Sequence, residues 1–323
     1  MTMLAATIAL GVLLAPASAW AQATVFPSKP VTMIVPFAPG SATETAARLY
    51  GRRMQDSLKQ PFLVDFKAGA AGQIGYNYVA KAPADGHTLL IVTGGFVVGA
   101  AVQKNLTYDP INAFAPISLL SSRPAILVTH PGLAKNFQEY IAYGRANPGK
   151  INLGDTGAGG LSHISGAWLH STINVKVTHV HYKGNSAVYI DLIAGRIQAG
   201  VVSLAGGMPY EQAGKLRIMG VASAQRARLA PDRPTLWEQG AVGYDYFSWY
   251  GVSAPGATPA VVVNKLSEEF NKAVHHPESV TWLNNGGAEP VGSTPEAFRK
   301  LVATDIARWA KAAKDAGIDS VEE

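Results

Sequence analysis

The sequence predicts an α/β fold of two lobes joined by a hinge of two extended crossings. Three observations carry that prediction. Apolar strand-like runs alternate with amphipathic helical stretches from residue 31 onward, the alternation runs through two similar series, and extended stretches near 119–127 and 246–253 connect the series. Such alternation implies βαβ units in a mostly parallel sheet. A chain of 323 residues is long enough for two lobes around a large core.

In the first series, VTMIVPF (31–37) reads as a buried strand. TETAARLYGRRMQDSLK (43–59) follows as a helix with Ala46, Leu49, Tyr50, Met54 and Leu58 on one side. FLVDF (62–66) is extended, QIGYNYVAKA (73–82) helical, HTLLIV (87–92) extended, and FAPISLL (114–120) extended again after the turn TYDPINA. The second series opens with AILVTH (125–130) and the helix NFQEYIAYGRAN (136–147), closed by Pro148-Gly149. KINLGD, the helix LSHISGAWLHST (161–172), VKVTHVHY, NSAVYIDLIAG, IQAGVVS and LRIMGVA continue it. FSWYGVSAP (247–255) returns the chain, and two helices follow. Each is announced by a hydroxyl cap before proline, at Thr258-Pro259 and Thr294-Pro295, and Gly317 ends the second.

The first 23 residues carry no charged side chain and end in small residues at alternate positions, Ala19-Trp20-Ala21 or Ala21-Gln22-Ala23. They read as a signal peptide, too short in its apolar part for a spanning helix, so the mature chain is expected outside the cytoplasm. The expected division is 1–23 signal peptide, 24–122 first part of lobe one, 123–246 lobe two, and 247–323 return to lobe one with the C-terminal helices. With Cys at 0, thiol catalysis, cysteine zinc sites and disulfides are excluded together. The net charge of +5 is scattered, without the basic stripe and interleaved aromatics that nucleic acid demands, so no nucleic-acid partner is expected.

In open α/β sheets ligands bind beyond the carboxyl ends of strands, where helix N-termini converge. Two loops fit. PFAPGSAT places Phe37, Pro39, Gly40, Ser41, Ala42 and Thr43 between a strand and a helix, and GDTGAGGLSH does the same with Thr156, Gly157, Ala158, Gly159, Gly160, Ser162 and His163. Free N–H groups, a positive dipole end and hydroxyls suit a carboxylate or phosphate. Glu44 reads as favourable charge at a helix start, or as a receiver for a ligand hydroxyl. Gly157-Ala158-Gly159-Gly160-Leu161-Ser162 only half-matches a dinucleotide fingerprint, and no phosphate-binding G-x-x-x-x-G-K-[ST] occurs, which argues against nucleotides and leaves no cofactor expected. His179-Val180-His181 puts two imidazoles on one strand face, but no carboxylate stands at ligand spacing, so structural histidines and no metal are expected. No G-x-S-x-G elbow surrounds Ser162 or Ser165, and no enzyme activity is expected.

Over nearly its whole mature length the chain resembles the Bug family, the periplasmic solute-binding proteins of tripartite tricarboxylate transporters. The resemblance rests on PSKPVTMIVPFAPG, AGAAGQIGYNYVAKAPADGHTLL, LTYDPINAFAPISLL, NPGKINLGDTGAGGLSH, HVHYKGNSAVYIDLIAGRIQ, AGKLRIMGVAS, LAPDRPTLWEQG and the tail from YGVSAPGATP to DIARWAKAAKDAG. It implies a type II periplasmic-binding (Venus flytrap) fold, located in the periplasm, that closes on a small carboxylate and serves the membrane subunits of a transporter, as a monomer. By position it adds Thr93, Gly94, Gly95 and Phe96, with Val202 and Ser203, to the cleft lining. The chain departs from the family's pattern where Ser41, Ala42 and Glu44 replace Gly, Ser and Asp, where Val202 replaces a polar residue, and where HVHYKG replaces HVPYKG. These departures bear on which acid binds: mono-, di- or tricarboxylate, aliphatic or aromatic. The alternatives left open are an exported hydrolase or metal-dependent enzyme using His163 or the His179/His181 pair, and a binding subunit that signals to a sensor.

Overall fold

The computed structural model describes residues 26–315, 317 and 318; the predicted signal peptide lies outside the described residues. Along the first series run β1 (Val31–Val35), α1 (Ala42–Leu58), β2 (Phe62–Phe66), α2 (Gln73–Ala80), β3 (Thr88–Thr93) and α3 (Gly94–Val102). Then come the long β4 (Phe114–Thr129), α4 (Phe137–Ala146), β5 (Ile151–Asp155), α5 (Leu161–Thr172), β6 (Val177–His181), α6 (Asn185–Ile193), β7 (Ala199–Ser203), α7 (Leu204–Gln212) and β8 (Arg217–Val221). The chain returns through β9 (Phe247–Pro255), α8 (Ala260–His275), α9 (Pro277–Asn285), β10 (Glu289–Pro290) and α10 (Pro295–Asp315).

The strand order is β2-β1-β3-β9-β4-β7-β5-β6, with β8 and β10 also on β4. The outer strands pair in parallel, β1 with β2 and β3, and β5 with β6 and β7. Everything touching β4 or β9 is antiparallel, so the sheet is mixed rather than mostly parallel. The reason is that both crossings enter the sheet as central strands. Residues 114–124 of β4 pair with β9, and Ala125 to Thr129 pair with β7 and β8. Pro124, which has no N–H to give a ladder, stands at the change of partner.

Strand faces are buried on both sides. In β1, Val31, Met33 and Val35 enter one core while Ile34 enters another; Leu89 and Ile91 of β3 likewise face away from Leu90 and Val92. That is why these runs read as continuous apolar stretches rather than alternating ones. α10 packs against both α3 and α5, bridging helices from the two series.

Three helices escape the periodic pattern. α3 (GGFVVGAAV) is apolar all round and opens on two glycines, α7 contains Pro209, and α9 begins where His275-His276-Pro277 resembles a helix end. Pro277 instead occupies the first turn of α9, and the His276 ring accepts the Glu278 amide as its cap. Thr294 caps α10 as expected, accepting from Ala297 N at 3.1 Å. Thr258 does not cap α8; its hydroxyl donates to Pro255 O at 2.7 Å and the helix opens at Ala260.

Candidate functional site

β1 and β3 are parallel with Ile34 opposite Leu90, so the turns after them leave the same edge. β5 and β7 are parallel with Gly154 opposite Gly200, and their following turns also share an edge. The two edges meet where a Cβ on Gly94 would come within 3.3 Å of Leu161 Cδ2, which places the starts of α3 and α5 against each other. At this meeting lies a cavity of about 290 Å³, lined by Thr156, Ser162, Val202 and Ser203 together with Arg123 and Asn185. Leu161 and Ser162 open α5, Asn185 opens α6 and Ser203 caps α7 by accepting from Gly206 N, so several helix N-termini converge here.

The loop before α5 satisfies many of its own donors. Thr156 N donates to Ser162 Oγ (2.9 Å), and the two hydroxyls stand 2.7 Å apart. Gly157 N donates to Asp155 Oδ1 (3.0 Å), Gly159 N to His163 Nδ1 (3.0 Å) and Gly160 N to Gly157 O (3.2 Å). Gly157 (φ +132°) and Gly159 (φ +68°) adopt backbone that side-chain-bearing residues resist. The amides of Thr156, Gly157, Gly159 and Gly160 are thus already paired within the loop and the first turn of α5. The donors available to a ligand are the first-turn amides of α5, which have no helical acceptor, and the hydroxyls beside them.

The turn after β1 is built differently. Gly40 has φ +86°, Ser41 caps α1 by accepting from Glu44 N at 3.3 Å, and Glu44 accepts from Gly40 N at 2.7 Å and from Arg48 Nε at 2.7 Å. The Gly40 amide, then Arg48, hold the Glu44 carboxyl below its usual range. Glu44 thus closes its own helix start, the structural of its two readings. Pro39, Gly40 and Ala42 are exposed, Thr43 is buried, Phe37 packs on the core, and none of Phe37–Thr43 lines the 290 Å³ cavity. Of the residues after β3, Thr93 caps α3 through Gly95 N, Gly94 meets Leu161, and Gly95 is exposed. Phe96 is 2% exposed and packs edge-on to Tyr76 and Phe114 and flat on Tyr108, so it is a core residue and not part of the cleft wall. Ala158 is exposed on the loop.

The histidines form one cluster. Asp155, 1% exposed, accepts from His179 Nδ1 at 2.9 Å and His181 Nδ1 at 2.7 Å. The carboxylate that sequence spacing did not offer comes across the sheet, where β5–β6 register sets Asp155 opposite His181. Burial would raise the Asp155 pKa, but hydrogen bonds from His179, His181 and the Gly157 amide bring it below the ordinary value. Burial, then the neighbouring His179, lowers the pKa of His163.

The profile of the tripartite tricarboxylate transporter family receptor matches residues 46–318. The chain belongs to that family. The receptor is 31% identical to Protein BugT of Bordetella pertussis (strain Tohama I) over 98% of both chains. It superposes on the solved structure of R. palustris Rpa4515 with adipate at TM-score 0.75 and 33% identity, covering 92% of this chain and all of that one. It superposes on MatC from Rhodopseudomonas palustris with bound malate at TM-score 0.71 and 30% identity, covering 89% and 99%. The receptor therefore has the fold of the periplasmic solute-binding proteins of this family.

Sequence reasoning missed Arg123. It stands on β4 where the strand changes partners, its guanidinium lies over the Tyr250 ring at 5.1 Å, and Nη1 donates to Gly286 O at 3.0 Å. Its Nε is buried without a hydrogen-bond partner among the described residues. An arginine inside a predicted extended crossing was the available signal. Also missed were Ala70 (φ 45°) and Ala71 (φ 50°), flanked by Gly69 and Gly72 in left-handed backbone before α2. Glycine adopts positive φ freely, so the backbone strain of this run falls on Ala70 and Ala71 alone, within the AGAAG stretch of the sequence.

Proposed function

We propose that this receptor captures a small organic acid in the cleft and delivers it to the membrane subunits of a tripartite transporter, acting in the periplasm as a monomer and not as an enzyme. The observation that carries the reading is the cavity itself. The starts of α5 and α6 and the capped start of α7 surround it, with Thr156, Ser162 and Ser203 hydroxyls and the Arg123 guanidinium, a donor set with the chemistry of carboxylate recognition. Its volume of about 290 Å³ is at the small end for ligand sites, and Pro124, Ala125, Val201 and Val202 supply an apolar wall for a short hydrocarbon segment. Relatives solved with adipate and with malate support an acid of that size.

The lobes we assign are 24–122 with 247–323, and 123–246, closing over the ligand about the β4 and β9 crossings. The turn Pro39–Thr43 and the Thr93–Gly95 step form the opposing wall on closure. The test is calorimetry and thermal shift with adipate, malate and monocarboxylates on the wild type and on Arg123→Gln. One acid is expected to raise the melting temperature and return chemically unchanged, and Arg123→Gln should weaken it at least ten-fold, since a hydrogen bond to a charged group contributes roughly 1.5–3 kcal/mol. Conversion of the acid, or no binding across the panel, would overturn the assignment; undiminished affinity in Arg123→Gln would remove that residue from the site.

A further inference from the structure

We infer that Asp155, His163 and His181 form a binding site for a divalent transition-metal ion of the zinc, nickel and copper group, placed directly behind the ligand loop. One potential ligand atom from each of the three residues lies within 4.8 Å of the others. They come from three elements, the end of β5, the first turn of α5 and the end of β6. Two imidazoles and one carboxylate select this group of ions over magnesium or calcium, which prefer oxygen alone. Bonds of about 2.0–2.2 Å to the ion require the three atoms to draw together, and the exposed His181 side chain, 41% accessible, has the freedom to do so.

The hydrogen-bond pattern brings the ligand atoms together. A carboxylate only accepts, so with no ion bound Nδ1 of His179 and Nδ1 of His181 each donate to Asp155; an ion that takes His181 Nδ1 beside Asp155 Oδ1, 2.7 Å away, shifts the ring's proton to Nε2, which faces away from the carboxylate. His179 remains an outer partner that holds Asp155 Oδ2 at 2.9 Å, the arrangement that orients a metal-binding carboxylate. The three rings already sit together: His163 stands edge-on to His179 and His181, with centroids 4.5 and 4.9 Å away.

Occupancy has a consequence for the loop. His163 Nδ1 accepts the Gly159 amide at 3.0 Å, so in the neutral ring its proton is on Nε2. If the ion takes Nδ1, that lone pair is used; if it takes Nε2, the proton moves to Nδ1. In either case Gly159 N–H loses its acceptor, and the turn before α5 loses one of its ties to the helix while the Thr156–Ser162 contact remains.

The test uses the metal-stripped, otherwise intact receptor, titrated with Zn²⁺ and Ni²⁺ by calorimetry while the Gly159 amide is followed by NMR. One equivalent should bind, with the Gly159 resonance shifting in step. His181→Asn, at an exposed position, should weaken binding at least ten-fold, His163→Gln likewise, and His275→Asn on the far helix should leave it unchanged. No saturable binding, binding that survives His181→Asn, or an unmoved Gly159 amide would overturn the inference. Because the readout needs no organic acid, failure here is separable from failure of the carboxylate assignment.

Discussion

Gly40 shows how a single residue can be constrained without being crowded. A Cβ there would meet nothing within 4 Å, yet its φ of +86° is one that L-residues resist. Gly40→Ala should therefore destabilise by about 1–2 kcal/mol through backbone strain alone. A urea midpoint equal to wild type would mean the turn relaxes freely. Residue-level reading succeeded where the chemistry is local. Thr294 caps the helix its sequence neighbours announce, because a hydroxyl accepts from an amide three positions on, whereas Thr258 turns its hydroxyl to Pro255 O instead. It failed where the partner is remote. Phe96 follows a turn and resembles cleft lining, but its companions Tyr108 and Phe114 arrive from beyond the next connection. Asp155 joined the histidines only through strand register, and Arg123 gained its place only when β4 changed partners.

Among the elements, α4 and α5 are joined by a buried polar contact. Tyr140 Oη and His170 Nε2 are 2.6 Å apart, and His170 Nδ1 donates to Gly166 O at 2.7 Å, so the ring is held neutral as donor on one side and acceptor on the other. Burial lowers the His170 pKa to about 4. The unfolded chain, with an ordinary value of about 6.5, binds the proton first, so stability rises with pH across this range. The contribution is complete above about pH 6.5 and is lost as pH falls toward 4, with a total on the order of 3 kcal/mol. Urea unfolding between pH 7.5 and 4.5 should show that decline, and His170→Gln should flatten it even though the variant begins less stable. Equal slopes would assign the acid sensitivity elsewhere. Element-level legibility followed period: amphipathic α1 and the two-sided apolar strands were readable, whereas α3 and α7, without an amphipathic repeat and with glycines or a proline inside, were not.

At the scale of the molecule, β4 belongs to both halves of the sheet, and its register shifts between Pro116 and Ser118 and between Leu119 and Ser121. Irregularities of this kind interrupt a ladder and give it local freedom to bend, which suits our assignment of β4 and β9 as the hinge. If so, the acid that raises the melting temperature should also reduce the radius of gyration in solution scattering, because it binds the closed form more tightly than the open one. An unchanged scattering curve at saturation would argue for a rigid receptor. The two strand–helix series were legible because the crossings between them are long and extended; the antiparallel middle was not, because pairing between strands so far apart in the chain leaves no local mark.

The sheet order also governs assembly. β9 sits between β3 and β4, yet it follows every strand of the other half along the chain. Until residue 255 joins the sheet, the flank of β3 is left unpaired and open to any stray strand. A receptor built this way comes together from the outside inward, and its last large strand is the one that locks it.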